Sequence, residues 1–150
     1  LESKPRIIEH DRVYPLPPVK GHVKFENVSF RYNENIHVLH ALDFEILPKE
    51  KVALIGLSGA GKTTIVNLIS RFYETTSGRI LIDGIDIRDV SLVSLRKQIG
   101  LVTQELILFN DTVRNNIAYG LDDTPMEKIL DALLDRKDRD SSEIEFELVM

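Results

Sequence analysis

Along "HVKFENVSFRY" (residues 22–32) apolar and polar side chains alternate, but the phase slips partway. Val23 and Phe25 share one parity, whereas Val28, Phe30 and Tyr32 share the other. A strand with a bulge near residues 26–27 absorbs such a slip. Leu42, Phe44 and Ile46 then alternate with Asp43 and Glu45, which predicts a second strand, antiparallel to the first and joined to it through "NENIH". "PKE" turns the chain into "KVALIG", a nearly continuous apolar run of the kind expected for a strand covered on both faces. Ile65, Val66, Leu68, Ile69 and Phe72 fall at i, i+1, i+3, i+4 and i+7, one face of a helix that "TTSG" should break. "RILIDG" reads as a strand. "DVSLVSLRKQI" reads as a short helix with Leu92, Leu95 and Ile99 on one side, and "GLVTQ" as another strand. "DTVRNNIAYG" predicts a brief helix begun by Asp111 and stopped by Gly120. "TPMEKILDALLDRKDRD" opens with Thr124, Pro125 and Glu127 in capping-box order, and its apolar Ile129, Leu130, Leu133 and Leu134 keep helical spacing. "EIEFELVM" closes on an alternating, strand-like run.

Composition narrows the classes. The 150 residues fit one domain, and a net charge of -5 lacks the basic excess of a nucleic-acid surface. No cysteine is present, so disulfides, thiolate metal sites and cysteine nucleophiles are excluded. His10, His22, His37 and His40 form no ligand-spaced cluster. No apolar run approaches the roughly 18 residues that a membrane span requires, and the N-terminus carries no secretory pattern; both point to a cytosolic setting. The stretch "LESKPRIIEHDRVYPLPPVKG" has prolines at 5, 15, 17 and 18. These fix φ and remove backbone donors, so an extended connector is expected over residues 1–20, continuing from something upstream.

The most specific chemistry lies at "GLSGAGKT" (56–63), which matches the phosphate-cradling pattern G-x-x-x-x-G-K-[ST] between a predicted buried strand and a predicted helix. Gly56, Gly59 and Gly61 let backbone amides approach phosphate oxygens closely, and the following helix turns its positive end to the same anion. Lys62 is positioned to meet the β- and γ-phosphates, and Thr63 to offer its hydroxyl to Mg2+. Ser58 and Thr64 are further phosphate donors, unless Thr64 serves only as the first turn of the helix. No Asn-Lys-x-Asp guanine-reading tetrapeptide occurs. Asp83, at the end of "RILIDG", admits two readings: a metal-holding carboxylate at a strand end, or half of an Asp-Gly hairpin turn. The turn is the better match, because Gly84 follows it directly.

Three separated stretches together resemble the nucleotide-binding domains of ABC transporters, particularly exporters that fuse membrane and ATPase domains. They are "VKFENVSFRY", the run from "VLHALDFEI" through the phosphate loop to "GLVTQE", and "LFNDTVRNNIAYG", covering roughly residues 18 to 120. The resemblance implies an α/β fold, the P-loop NTPase core of ABC type with an antiparallel β subdomain, in truncated form. Residues 21–120 would be the N-terminal part of the ATP-binding domain, residues 1–20 the linker from a membrane domain, and 121–150 a divergent or truncated helical tail. It further implies that Tyr32 stacks on adenine. Gln104, in "VTQE", would touch Mg2+ and the attacking water as the glutamine-loop residue. ATP and Mg2+ would be the cofactors. The partners would be a transmembrane domain of the same transporter and a second nucleotide-binding domain, at the cytoplasmic face of a membrane and without nucleic acid. The family's signature "LSGGQ", its Walker B carboxylates and its switch histidine are not found in these 150 residues.

Two functions follow from these residues. One is the ATPase engine of an exporter, coupling ATP binding and hydrolysis to transport. The other is a module that binds Mg-ATP without turning it over, because no carboxylate beyond the glutamine loop stands in a recognisable Walker B context to position water. A non-transport ABC-type ATPase is a third reading, disfavoured by the linker-like start.

Overall fold

The computed structural model describes residues 7, 9, 12–102, 108–119, 124–134 and 144–146. They fall into two compact units, one holding the chain to residue 102 together with residues 141–150, the other residues 103–140.

In the first unit, β1 (Val23–Asn33) and β2 (Ile36–Ile46) form the predicted antiparallel pair. The phase slip is a bulge: the register jumps between Phe25 and Val28, and Asn27 sits at φ 51°. Phosphate-loop helix α1 spans Lys62–Ile69. Next come β3 (Ser77–Ile82) and the two-residue β4 (Ile85–Asp86), giving a four-stranded sheet in the order β2-β1-β3-β4. Inward-facing Val23, Phe25, Val28, Phe30, Leu39, Ile80 and Ile82 bury against Ile65, Leu68 and Ile69 of α1. Alternation on the strands and i, i+3, i+4 spacing on the helix thus meet in one core.

Asp83 and Gly84 form the tight turn between β3 and β4, with Ile82 opposite Ile85 and φ values of 50° and 83°. The pair of positive φ values is what a two-residue hairpin turn demands. The Asp83 carboxylate accepts from the backbone N–H groups of Lys20 and His22, the latter at 2.9 Å. It ties the incoming chain to the hairpin.

That incoming chain runs extended and is strapped to the domain. Tyr14 bridges Val90 in parallel, and Leu16 and Val19 are buried. Helix α2 (Leu92–Arg96) and the turn after it hold the strap through side chains. The Leu16 N–H donates to Ser94 Oγ at 2.8 Å, and that of Val19 to Gln98 Oε1 at 2.8 Å, while Gln98 Nε2 donates back to the Leu16 carbonyl at 3.0 Å. A proline-rich backbone has few donors of its own, so side-chain acceptors on a neighbouring element satisfy those that remain.

Three expectations are corrected in this unit. Residues 51–57 form no strand, and Val52, Ile55 and Leu57 are exposed, Ile55 to 95%. An apolar strand of this type needs partners on both edges, and no described strand pairs with it. Helix α1 ends at Ile69, before "TTSG". Arg71 turns left-handed at φ 49°, its N–H bonds the Leu68 carbonyl at 3.0 Å, and that of Phe72 bonds the Asn67 carbonyl at 2.8 Å. This is a Schellman ending with arginine in the place usually taken by glycine; it puts Phe72 beyond the helix, half-exposed under the Arg96 guanidinium. The Arg71 side chain, 1% exposed, repays the unusual backbone by bonding Glu74 and the Ile87 carbonyl. Ile99 lies not on α2 but in β5 (Ile99–Leu101), which pairs in parallel with β6 (Ile144–Phe146). β6 falls within "EIEFELVM", where alternation predicts a strand.

In the second unit, α3 (Val113–Ile117) is capped by Thr112 and not by Asp111: the Thr112 hydroxyl accepts from the Asn115 N–H at 3.1 Å. Asp111 instead accepts from the Thr112 N–H and the Asn115 side chain. Gly120, the expected stop, lies outside the described residues. Helix α4 spans Met126–Leu134, with Ile129 buried.

Candidate nucleotide site

Nucleotide-site geometry begins with β1 and β2. Their pairing places Tyr32, near the end of β1, beside Ile36 and Val38 on the returning strand. The loop into α1 packs against this corner so tightly that a Cβ on Gly61 would stand 3.0 Å from Leu39 Cδ2 and 3.1 Å from Val38 Cγ1. Gly61 is also left-handed, at φ 90°, so both the close approach and the backbone require glycine there. Gly59 is left-handed too, but faces open space.

Tyr32, Ile36 and Val38 on one side, and residues 58–64 on the other, enclose an open cavity of about 310 Å³. That volume lies at the lower end of the range for small-molecule sites. The sequence-predicted Tyr32, Ser58, Gly59, Gly61, Lys62, Thr63 and Thr64 are all brought to this cavity. Gly56 is not among the lining residues; its carbonyl accepts from the Lys62 ammonium at 2.7 Å, as that of Leu57 does at 3.0 Å. Thr63 is exposed, whereas Thr64 is buried and its hydroxyl meets that of Tyr32 at 3.0 Å. Gln104 lies outside the described residues.

Tyr32 is itself held. Phe30 and Tyr73 stand perpendicular to its ring, at 4.8 and 5.2 Å between centroids. Neither these two nor Ile36 and Val38 were legible as site residues. The alternation of "IHVLH" does place Ile36 and Val38 on one face, but only the register shows that this face meets Tyr32. Among the described residues no carboxylate lines the cavity, and Asp83 is occupied at its turn.

The parts suit an elongated, anionic ligand with a flat ring at one end. Free N–H groups of a helix's first turn and a lysine serve the anion, and a half-exposed tyrosine serves the ring. This is the layout of a P-loop nucleotide site. Residues 39–147 match the family model described as ABC transporter, and the chain belongs to that family.

Known relatives agree. An ATP-dependent lipid A-core flippase of Syntrophus aciditrophicus is 53% identical over 132 residues, 88% of this chain and 22% of the relative. The flippase of the same name from Methylobacillus flagellatus is 56% identical over 123 residues, 81% of this chain and 21% of the relative. A solved structure of a bacterial Atm1-family ABC exporter with ATP bound superposes with a TM-score of 0.77 at 43% identity, over 83% of this chain and 22% of that one. The chain thus spans about a fifth of the length of the relatives it matches. Among the described residues, no helix is long and apolar enough to cross a membrane.

Proposed function

We propose that this chain is the Mg-ATP-binding part of an ABC exporter, and that by itself it holds the nucleotide without hydrolysing it. The observation that carries the reading is the joint lining of one cavity by Tyr32 and residues 58–64. In this reading the base stacks on Tyr32 and the phosphates lie along the backbone of the loop. Lys62 exchanges its two carbonyl partners for the terminal phosphates. The exposed Thr63 hydroxyl and Gln104 are the residues to hold Mg2+, and a bound Mg2+ would neutralise charge on the β- and γ-phosphates. Gly59 lines the cavity, and its left-handed backbone is one that glycine adopts without strain.

In the longer protein, residues 1–20 would lead from a membrane domain, residues 21–120 would bind ATP and 121–150 would be the tail. ATP binding and hydrolysis would be coupled to transmembrane transport at the cytoplasmic face, with the membrane domain and a second nucleotide-binding domain as partners. Transfer of a phosphoryl group to water needs an oriented nucleophile as well as positioned phosphates. Among the described residues no carboxylate lines the cavity, so the loop positions phosphates without a described carboxylate beside it to take a proton from water.

Titrating a fluorescent ATP analogue with Mg2+ against the parent and Lys62→Ala, with released phosphate followed in parallel, tests both halves of the proposal. Binding that Lys62→Ala largely removes, with no phosphate above the solution background, is the expected result. Equal affinities would overturn the site assignment. Turnover abolished by Lys62→Ala would overturn the non-hydrolysing reading.

A further inference from the structure

Thr64 and Tyr32 lie 32 residues apart in sequence, yet their hydroxyls meet at 3.0 Å where both line the cavity. The contact fixes the far end of the tyrosine, while Phe30 and Tyr73 hold its ring at right angles. A threonine hydroxyl has one proton and two lone pairs, and a phenol likewise donates one proton. Ionised phosphate oxygens only accept. When an anion lies along the loop, the Thr64 proton is therefore spent on a phosphate oxygen, and the Tyr32 proton on Thr64 Oγ1. Both bonds can be made at once, in one direction only: tyrosine to threonine to phosphate.

We infer that Thr64 is a positioning residue that couples the base platform to the phosphate cradle, so that engagement of phosphate locks the Tyr32 ring in its stacking orientation. The inference rests on the nucleotide reading above and goes beyond it. Stacking alone needs only the ring, and on that basis Tyr32→Phe would be silent; a ring pinned through its hydroxyl would not be. A hydrogen bond between neutral hydroxyls is modest, and its loss should weaken ATP about three- to tenfold.

The test is a double-mutant cycle of Tyr32→Phe and Thr64→Val, with Thr64→Ser as the conservative control and Lys62→Ala as the control for the site. Affinities for ATP and for inorganic tripolyphosphate, which has no base, are read by displacement of a fluorescent ATP analogue, each corrected for the folded fraction. Tyr32→Phe should lose about three- to tenfold in affinity for ATP and measurably less for tripolyphosphate, which engages Thr64 but has no base to stack. Thr64→Val should lose affinity for both, and Thr64→Ser should restore both. The double variant should bind ATP no worse than Thr64→Val, because the two changes cut the same chain of bonds. Additive losses, or a Tyr32→Phe that binds ATP as the parent does, would overturn the coupling while leaving the nucleotide reading intact. A parent that shows no Lys62-dependent binding would instead overturn the nucleotide reading and this inference with it.

Discussion

Replacing Asp83 separates two roles that its sequence context allows. In the structure its carboxylate accepts two backbone N–H groups, those of Lys20 and His22, and its own backbone is left-handed at φ 50°. Hydrogen bonds to a charged group contribute about 1.5–3 kcal/mol each. The turn is partly open to water, so about half of that range is appropriate here, or roughly 2 kcal/mol for the pair. Alanine in the left-handed region adds about 1 kcal/mol, whereas asparagine tolerates it. Asp83→Ala should thus cost about 3 kcal/mol, and Asp83→Asn, which keeps one acceptor oxygen and the backbone preference, about 1 kcal/mol. Urea unfolding followed by circular dichroism reads both. Affinity for the fluorescent ATP analogue, measured with and without Mg2+ in the folded fraction, should stay within about twofold of the parent, since nothing in the cavity changes. A variant of unaltered stability that lost about tenfold or more of its Mg2+-dependent affinity would refute the argument and return Asp83 to the metal.

Arg71→Met should cost about 3 kcal/mol in the same unfolding experiment, because it strands the Ile87 carbonyl and removes the group that compensates the left-handed helix ending; a loss below about 1 kcal/mol would contradict this. Tyr32→Ala should weaken the ATP analogue about five- to a hundredfold, from a stacking contribution of roughly 1–3 kcal/mol, and a variant that loses stability but keeps its affinity would deny the stacking role. Burial opposes the charge on Asp86, but hydrogen bonds from Arg88 outweigh it and hold the carboxyl below its ordinary 3.8. A folded value below the unfolded one stabilises above the unfolded value and is lost as the pH falls through the folded one. Arg88→Ala should therefore flatten the stability profile below about pH 4, as read by urea titrations across that range.

Features governed by near neighbours along the chain are legible in the residues themselves. The glycine pattern and Lys62 declare the phosphate loop, since each residue there acts through its own backbone or reach. The parity slip at residues 26–27 declares the bulge, and Asp-Gly declares the turn at Asp83. Where the deciding partner is distant, the sequence is silent or misleading. Arg71 ends α1 because Ile87 and Glu74 accept its guanidinium, and no glycine announces the stop. Ile99 keeps helical spacing with Leu95, but joins a strand because Ile144 offers an edge. The apolar run at 52–57 reads as a covered strand, yet Ile55 and Leu57 remain exposed, since hydrophobicity asks for cover without supplying it. Tyr32, which lies near the end of β1, is nominated only through the resemblance to the ABC family. That its hydroxyl meets Thr64, and that Ile36 and Val38 wall the same cavity, depends on a register and a helix position that only the folded chain brings together.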